Sequence, residues 1–234
     1  MTIRELLEKS GTVITEEQAQ AMEKYNDLVL RKNLVMNLTA VREKEASLVK
    51  NVCDSLTAYE EDCFPERGKY LDLGTGAGFP GMILAILRPD MMAVLLDSLE
   101  KRLRFIESAT EEIKVENVRV IHMRAEDGGR RRKLREQFDV VTARAVKTLP
   151  ILLEWALPFV KPGGVFIAMK GPLAEEELKQ SERALKVLSG KLEKKKDMVL
   201  PDGSRRCILY IRKTGPCDKI YPRKPGIAEK NPLI

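Results

Sequence analysis

A glycine-rich stretch that follows an acidic residue is the part of this chain whose residue types point most directly to chemistry. It runs from Tyr70 to Gly81 and reads YLDLGTGAGFPG. Glycines at alternating positions let the backbone bend sharply after a short apolar strand, and they let a ligand come close because no Cβ is in the way. Pro80 suits the first turn of a helix. The stretch therefore predicts a strand, a ligand-binding turn and a helix.

The acidic residue, Asp72, distinguishes between two kinds of ligand for such a turn. Dinucleotide-binding folds and nucleoside-binding methyltransferases both use a glycine-rich turn, so the turn alone is a weak signal. A carboxylate two residues before Gly74 is unfavourable beside a pyrophosphate, which needs backbone donors and no nearby negative charge. S-adenosylmethionine carries a sulfonium and an ammonium but no phosphate. The pattern therefore favours S-adenosylmethionine over a nicotinamide cofactor, with Asp72 facing the cationic ligand.

Polar residues also follow the next predicted strands, where ligands of an open parallel sheet collect. Asp97 closes the strand AVLLD, just over twenty residues after Gly74, where a carboxylate can accept both hydroxyls of a ribose. Ala125 and Glu126 follow the third strand, where a small residue and a carboxylate can flank an adenine. Taken alone, this last segment fits an ordinary loop equally well.

Two absences in the sequence narrow the chemistry. Methyltransferases that act on exocyclic amines usually carry an Asn/Asp-Pro-Pro-aromatic loop after the fourth strand, and pyrimidine C5 enzymes need a cysteine nucleophile. The segment 140–145 reads VVTARA and has neither. The single histidine, His122, lies in a predicted strand, and the four cysteines have no C-x-x-C spacing. Neither histidine-dependent hydrolysis nor a metal site is predicted.

The composition limits the compartment and the partners. A net charge of +6 favours a polyanionic partner. Apolar runs such as 82–87 are too short to span a bilayer, and the first residues lack the apolar segment of a signal peptide. We therefore expect a cytoplasmic protein with no membrane partner.

Apolar strands alternate with amphipathic helices from Lys69 onward, which is typical of a doubly wound α/β fold. Residues 66–234 are predicted to form this domain, and residues 1–65 an N-terminal helical extension packed on it. The main helix of the extension begins at a capping box, Thr15–Gln18, and carries an apolar face that includes Tyr25. Two further helical stripes are predicted to be core, namely Leu99, Leu103, Ile106 and Ile113, and Leu149, Leu152, Leu153 and Ala156. The predicted strands are 69–73, 92–97, 117–122, 137–142 and 163–169, with a strand or pair near 194–200 and 205–212, which makes a mostly parallel seven-stranded sheet with an antiparallel end.

Seven segments of the sequence together resemble one known family. They are DSL at 54–56, LDLGTGAGFPG at 71–81, LDSLEKR at 96–102, RAE at 124–126, FDVVTARA at 138–145, MKG at 169–171 and YPRKPG at 221–226. Nearly end to end, the chain is similar to the bacterial small-subunit ribosomal RNA guanine-N7 methyltransferase family, also called glucose-inhibited division protein B or methyltransferase G. The resemblance implies a Rossmann-like class I S-adenosylmethionine-dependent methyltransferase fold. It also implies methyl transfer to N7 of a guanine in the 530 loop of 16S rRNA, at about position 527, in the small ribosomal subunit.

The resemblance also implies which residues contact the cofactor. The family's contacts fall on Gly74, Phe79, Ala125, Glu126 and Arg144, and with Gly76 and Asp97 they complete the predicted S-adenosylmethionine site. One departure is visible, because members often have histidine three residues before the DSL segment, and this chain has Asn51 there.

The implied reaction requires little acid–base machinery. Guanine N7 has an unshared pair in the ring plane and no proton to remove, so no general base is needed. We interpret Arg144 and Lys170 as positioning residues that hold the cofactor carboxylate or an RNA phosphate. Among several basic clusters, Lys170, Arg223 and Lys224 are the predicted RNA contacts, because the family segments include them. The other clusters are residues 130–135, 194–196 and 205–206.

Three alternatives remain beside this interpretation. The chain could be a methyltransferase of the same fold that acts on another RNA or on a ribosome-associated protein. It could be an RNA-binding assembly factor with a vestigial site, which the intact glycines and Asp97 disfavour. A nicotinamide oxidoreductase is disfavoured by Asp72. The expected partner is 16S rRNA or a small-subunit particle, and the expected oligomeric state is a monomer.

Overall fold

A single seven-stranded sheet forms the centre of the protein in the computed structural model, which describes residues 12–234. The strand order is β3-β2-β1-β4-β5-β7-β6. Strands β1 to β5 pair in parallel, and β7 runs antiparallel between β5 and β6. The strands are β1 (Lys69–Leu73), β2 (Met92–Asp97), β3 (Val118–His122), β4 (Phe138–Arg144), β5 (Val160–Lys170), β6 (Gly190–Val199) and β7 (Arg205–Lys213). The predicted mostly parallel sheet with an antiparallel end is confirmed.

Helices cover both faces of the sheet. They are α1 (Glu16–Met36), α2 (Lys44–Ser47), α3 (Asp54–Leu56), α4 (Gly81–Leu87), α5 (Glu100–Ile113), α6 (Ala125–Gly128), α7 (Leu149–Ala156), α8 (Ala174–Lys179), α9 (Glu182–Val187) and α10 (Ile227–Lys230). A π-helical segment, Leu48–Cys53, joins α2 to α3. The predicted α7 stripe is buried throughout. The prediction that Leu99 belongs to the buried stripe of α5 is wrong. Leu99 precedes the helix in extended backbone and is 51% exposed.

Helix α1 packs across the face of the sheet that carries α4 and α5. Its capping box is present as predicted, since Thr15 and Gln18 exchange hydrogen bonds at the helix start. The helix ends where Asn37 adopts a left-handed conformation. Tyr25 is fully buried and its ring contacts those of Phe79 and Phe105. The described part of the N-terminal region therefore shares a core with the sheet, while residues 1–11 lie outside the described residues and the division after residue 65 stays a prediction.

The strand order places the candidate site at the carboxyl ends of the central strands β1 and β4. The chain moves outward from β1 to β3 and then returns to pair β4 on the other side of β1. The carboxyl ends of β1 and β4 thus flank the point where the strand order reverses, and a crevice opens there in such folds. Within residues 12–234, no helix is long and apolar enough to cross a membrane.

Candidate active site

The glycine-rich turn after β1 is held in a shape that only glycine adopts easily. Gly74, Gly76 and Gly78 have φ values of 68°, 59° and 87°, a region that costs other residues about 1–2 kcal/mol each. The amide of Gly74 donates to the carbonyl of Leu96 over 2.8 Å, which fastens the turn to β2. A Cβ on Gly78 would overlap the hydroxyl of Tyr25, whereas a Cβ on Gly76 would meet no atom closer than 4.0 Å. Gly76 therefore faces open space that a ligand can use.

Asp72 does not face that space. It is fully buried, where it accepts hydrogen bonds from the Gly81 amide at 3.0 Å and from the Thr142 hydroxyl at 2.8 Å. Burial raises the pKa of Asp72, and these hydrogen bonds oppose the rise. The prediction that Asp72 faces a cationic ligand is wrong, because its carboxylate instead joins the start of α4 to β4.

Asp97 is the carboxylate that does border the turn. Its Oδ2 accepts from the Gly76 amide and its Oδ1 from the Leu99 amide, each over 2.9 Å. Each carboxylate oxygen has a second lone pair, so both can still accept a hydroxyl. Arg102 lies 3.7 Å from Oδ2 and balances part of its charge. The geometry is that of a carboxylate preorganised for a diol such as ribose.

A cavity of about 320 Å³ opens beside Asp97. Three of the predicted cofactor contacts, Gly74, Ala125 and Glu126, line it. Its floor is apolar, with Leu73, Leu96 and Val146 among the lining residues. Gly76, Phe79 and Arg144 belong to the same region but are not among its lining residues. An apolar floor between carboxylates, beside a glycine turn, fits a cationic nucleoside cofactor without phosphate groups. The residues present thus fit S-adenosylmethionine.

The C-terminal segment closes this cavity, which sequence reasoning missed. Glu229 of α10 and Trp155 of α7 both line it. The Gly226 amide approaches Glu126 Oε1 at 3.4 Å, and Lys147 forms an ion pair with Glu229. The single tryptophan of the chain was the one available signal, since it falls on a helix that follows the fourth strand. Glu229 lies too far along the sequence for any local pattern to assign it.

Several arginines of the predicted basic clusters hold the C-terminal segment in place. Arg130 Nε donates to the Pro222 carbonyl over 2.7 Å, and Arg135 Nη1 to the Tyr221 carbonyl over 2.6 Å. Arg223 forms a bidentate pair with Glu154, whose carboxylate is buried. The predicted RNA contact Arg223 is therefore already engaged within the chain. Lys224 is exposed.

A second cavity, which we call the acceptor cleft, lies next to the first. It has a volume of about 500 Å³ and is lined by Lys50, Asp54, Arg144, Ala145, Met169, Lys170, Gly171, Pro172, Leu173, Glu177 and Arg206. Ala145 lines both cavities, so the two meet at the end of β4. Lys170 Nζ pairs with Glu177 at 2.7 Å and donates to the Lys147 carbonyl at 2.8 Å.

Arg144 is fixed between the N-terminal region and the glycine-rich turn. Its Nη1 donates to the Lys50 carbonyl at 2.8 Å and to Asp54 at 3.0 Å. Its Nη2 donates to Asn51 Oδ1 at 3.2 Å, and its guanidinium lies 5.6 Å from the centre of the Phe79 ring. Asn51, the departure from the family pattern, thus serves as a hydrogen-bond acceptor for Arg144.

Two observations concern the side chains that a metal site or histidine-dependent hydrolysis would use. Residues 12–234 contain no group of three or more His, Cys, Asp and Glu side chains able to hold a metal ion. His122 lies at the end of the edge strand β3, exposed, with Nε2 3.0 Å from the Ser98 carbonyl. It lies outside the linings of the two cavities.

Fold and site together define a class I S-adenosylmethionine-dependent methyltransferase. Two solved structures are similar to this chain in fold. A 16S rRNA (adenine(1408)-N(1))-methyltransferase from Catenulisporales acidiphilia with its cosubstrate SAM has a TM-score of 0.50 at 15% identity, over 71% of this chain and 91% of that one. The Methanococcus jannaschii fibrillarin pre-rRNA processing protein has a TM-score of 0.55 at 16% identity, over 69% of this chain and 74% of that one.

Sequence relatives identify the family. The family description "rRNA small subunit methyltransferase G" matches residues 18–205. The protein named ribosomal RNA small subunit methyltransferase G from Alkaliphilus metalliredigens is 41% identical to this chain, over 100% of this chain and 98% of the relative. The protein of the same name from Clostridium beijerinckii is 39% identical to it, over 100% of both chains. The chain belongs to the rRNA small subunit methyltransferase G family. It is an S-adenosylmethionine-dependent rRNA methyltransferase, so the predicted enzyme class and cofactor are confirmed.

Proposed function

We propose that the protein transfers the methyl group of S-adenosylmethionine to N7 of a guanine in the 530 loop of 16S rRNA, at about position 527. The observation that carries this proposal is the meeting of two different cavities at Ala145. One is lined by carboxylates and apolar side chains beside a glycine turn, and the other is rich in cations. A nucleoside cofactor fits the first, and an RNA strand fits the second.

The residues of the site have separate roles in this proposal. Gly74, Gly76 and Ala125 let the cofactor approach the backbone, while Asp97 and Glu126 accept hydrogen bonds from its ribose and adenine. Bound S-adenosylmethionine supplies an electrophilic methyl group. Arg144 and Lys170 keep the acceptor cleft in shape, and Lys170 and Lys224 contact RNA phosphate.

A site without a general base is consistent with N7 as the acceptor. The N7 lone pair lies in the ring plane and carries no proton, so the protein only has to align N7, the methyl carbon and the sulfur. Such alignment can supply several kcal/mol, about 7–11 in the best intramolecular models. The base becomes positively charged as the methyl group arrives, so a carboxylate or carbonyl near the base helps more than a cation.

The test is incubation of the purified protein with methyl-labelled S-adenosylmethionine and small ribosomal subunits from cells that lack this activity, followed by nucleoside analysis. Label in 7-methylguanosine of the 530 loop is the expected result. Label in another nucleoside, or in a ribosomal protein, would replace the proposed target with the alternative substrate. Measurable cofactor binding without any label in RNA or protein would contradict the proposal.

We also propose that the protein is a monomer and that it acts in the cytoplasm.

Arg144→Ala tests the positioning role assigned to Arg144. Loss of the guanidinium removes three hydrogen bonds that hold residues 50–54 against the end of β4. We expect weaker binding of the cofactor or of the small subunit. Normal affinity for both together with no turnover would instead make Arg144 a participant in the methyl transfer.

A further inference from the structure

A buried carboxylate in the acceptor cleft holds two arginines at once. The side chain of Asp54 is only 3% exposed. Its Oδ1 accepts from Arg206 Nε at 2.8 Å, and its Oδ2 accepts from Arg144 Nη1 at 3.0 Å. The two arginines are about one-fifth exposed, so their outer edges reach the cleft. Asp54 thus fixes two guanidinium groups side by side at the cleft wall.

The sheet topology explains how Arg206 reaches this place. Strand β7 is antiparallel to β5, and Cys207 is paired with Lys170 at the last residue of β5. The first residues of β7 therefore lie beside the carboxyl ends of the parallel strands. Asp54 and Arg206 are 152 positions apart in sequence, so only the folded sheet brings them together.

The charge of the acceptor cleft matches an anionic ligand. It is lined by four cations, Lys50, Arg144, Lys170 and Arg206, and by two carboxylates, Asp54 and Glu177. Both carboxylates already accept hydrogen bonds from within the chain, Glu177 from Lys170 and from the Leu149 amide. The side chains that line the cleft therefore carry an excess positive charge of two.

Arg206 retains the donors that such a ligand needs. Its Nε is engaged by Asp54, and its Nη1 donates to the Arg205 carbonyl at 3.0 Å. Its Nη2 forms no hydrogen bond with any residue between 12 and 234. Arg144, by contrast, donates from both of its terminal nitrogens, Nη1 to Lys50 and Asp54 and Nη2 to Asn51. A guanidinium that is held through Nε and Nη1 and keeps its Nη2 hydrogens is suited to a phosphate oxygen.

We propose that Arg206 binds a phosphodiester of the RNA strand beside the target guanine, and that Asp54 is the positioning residue that holds Arg206 for this contact. The inference rests on the proposed function, since it requires an RNA acceptor in the cleft. It assigns Asp54, within the DSL segment, a role in substrate placement. It also separates Arg206 from Arg144, which braces residues 50–54 against the glycine-rich turn.

The experiment compares four variants with the wild type, namely Arg206→Ala, Arg206→Lys, Asp54→Asn and the control Arg104→Ala. Arg104 is an exposed arginine of α5 outside the cleft, and its ion pair among residues 12–234 is with Glu100. Binding of small subunits is measured without turnover and as a function of salt, cofactor affinity by calorimetry, and melting temperature by scanning fluorimetry.

Arg206→Ala should weaken subunit binding about fivefold to thirtyfold and reduce the slope of log affinity against log salt by about 1, as loss of one phosphate contact does. Arg206→Lys should recover part of the affinity and the full salt slope. Asp54→Asn should lower subunit affinity in the same direction. Cofactor affinity of the Arg206 variants should equal that of the wild type. Arg206→Ala should lower the melting temperature, because it removes one of the two arginine partners of the buried Asp54 carboxylate. Arg104→Ala should change none of the measured quantities.

Equal subunit affinity and salt slope for wild type and Arg206→Ala would overturn the inference. Loss of cofactor affinity in parallel with subunit affinity would also overturn it, because Arg206 would then have a structural role only. A different result would contradict the proposed function. In that result the wild type binds subunits with the expected salt dependence but methylates none of their RNA. A wild type that binds no subunit at all would refute both.

Discussion

The hydroxyl of Tyr25 connects the N-terminal helix to the glycine-rich turn. Its removal should therefore lower both the free energy of unfolding and the affinity for the cofactor. It donates to the Ala77 carbonyl over 2.7 Å in a fully buried position. Burial, with the nearby charge of Asp72, raises the pKa of Tyr25 well above its ordinary value. The hydroxyl therefore stays protonated, and remains a donor, at every working pH.

Tyr25→Phe removes the donor and leaves the Ala77 carbonyl buried without it. An unsatisfied buried acceptor costs about 1–3 kcal/mol, and each kcal/mol lowers the melting temperature of a domain of this size by about 2–4 °C. The turn that borders the cofactor cavity loses the same restraint. We expect S-adenosylmethionine affinity to fall about threefold to tenfold, since 1.4 kcal/mol corresponds to tenfold.

Urea unfolding and calorimetric titration with S-adenosylmethionine check the two effects separately. Tyr210→Phe is the matched control, because Tyr210 is also buried but its hydroxyl reaches the Thr57 carbonyl only at 3.5 Å. It should lose less stability and no cofactor affinity. A Tyr25→Phe protein with wild-type stability and affinity would refute the reasoning that the N-terminal helix supports the turn.

Three further predictions concern buried groups elsewhere. Burial raises the pKa of Asp72, so the folded chain binds the proton of this carboxyl group more tightly than the unfolded chain does. The contribution of Asp72 to the free energy of unfolding therefore falls as pH rises through the raised pKa. Urea unfolding between about pH 4 and pH 7 should show the wild type losing stability relative to Asp72→Asn. Burial raises the pKa of the Cys53 thiol to about 12, so a thiol reagent at pH 8 should label the half-buried Cys63 in the folded protein and Cys53 only after unfolding, as mass spectrometry of the labelled peptides can verify. Arg223→Ala leaves the buried Glu154 carboxylate unpaired, which should cost about 3–5 kcal/mol in urea unfolding, whereas an unchanged midpoint would mean that the pair contributes no net stability.

The order of elements could be predicted from the sequence because each one has a local signal. The apolar run of β1 with its glycine turn, the capping box at Thr15 and the α7 stripe depend only on neighbouring residues. The strand with the weakest local signal was predicted least well. β6 begins at Gly190, several residues before the predicted segment, because residues 193–197 are all charged and the strand lies at an exposed edge of the sheet.

The parts of the site that could not be predicted depend on residues distant in sequence. Asp97, Ala125 and Glu126 follow strands, so the rule that ligands collect at strand ends located them. Asp72 was assigned to the ligand because its sequence position could not reveal that Thr142 and the Gly81 amide would enclose it. Pairings such as Arg206 with Asp54 require the antiparallel β7 to be in place, and no sequence window contains both residues.

Ala145 shows how the backbone itself separates donor from acceptor. It follows β4 with φ of 53°, a left-handed conformation that costs an alanine about 1–2 kcal/mol. The residue before it, Arg144, lines the acceptor cleft, and the residue after it, Val146, lines the cofactor cavity. The left-handed turn ends the strand at the point where Ala145 lines both cavities. Because the proposed reaction needs alignment and no proton transfer, we expect a larger side chain at position 145 to narrow the passage between the cavities and to slow methyl transfer.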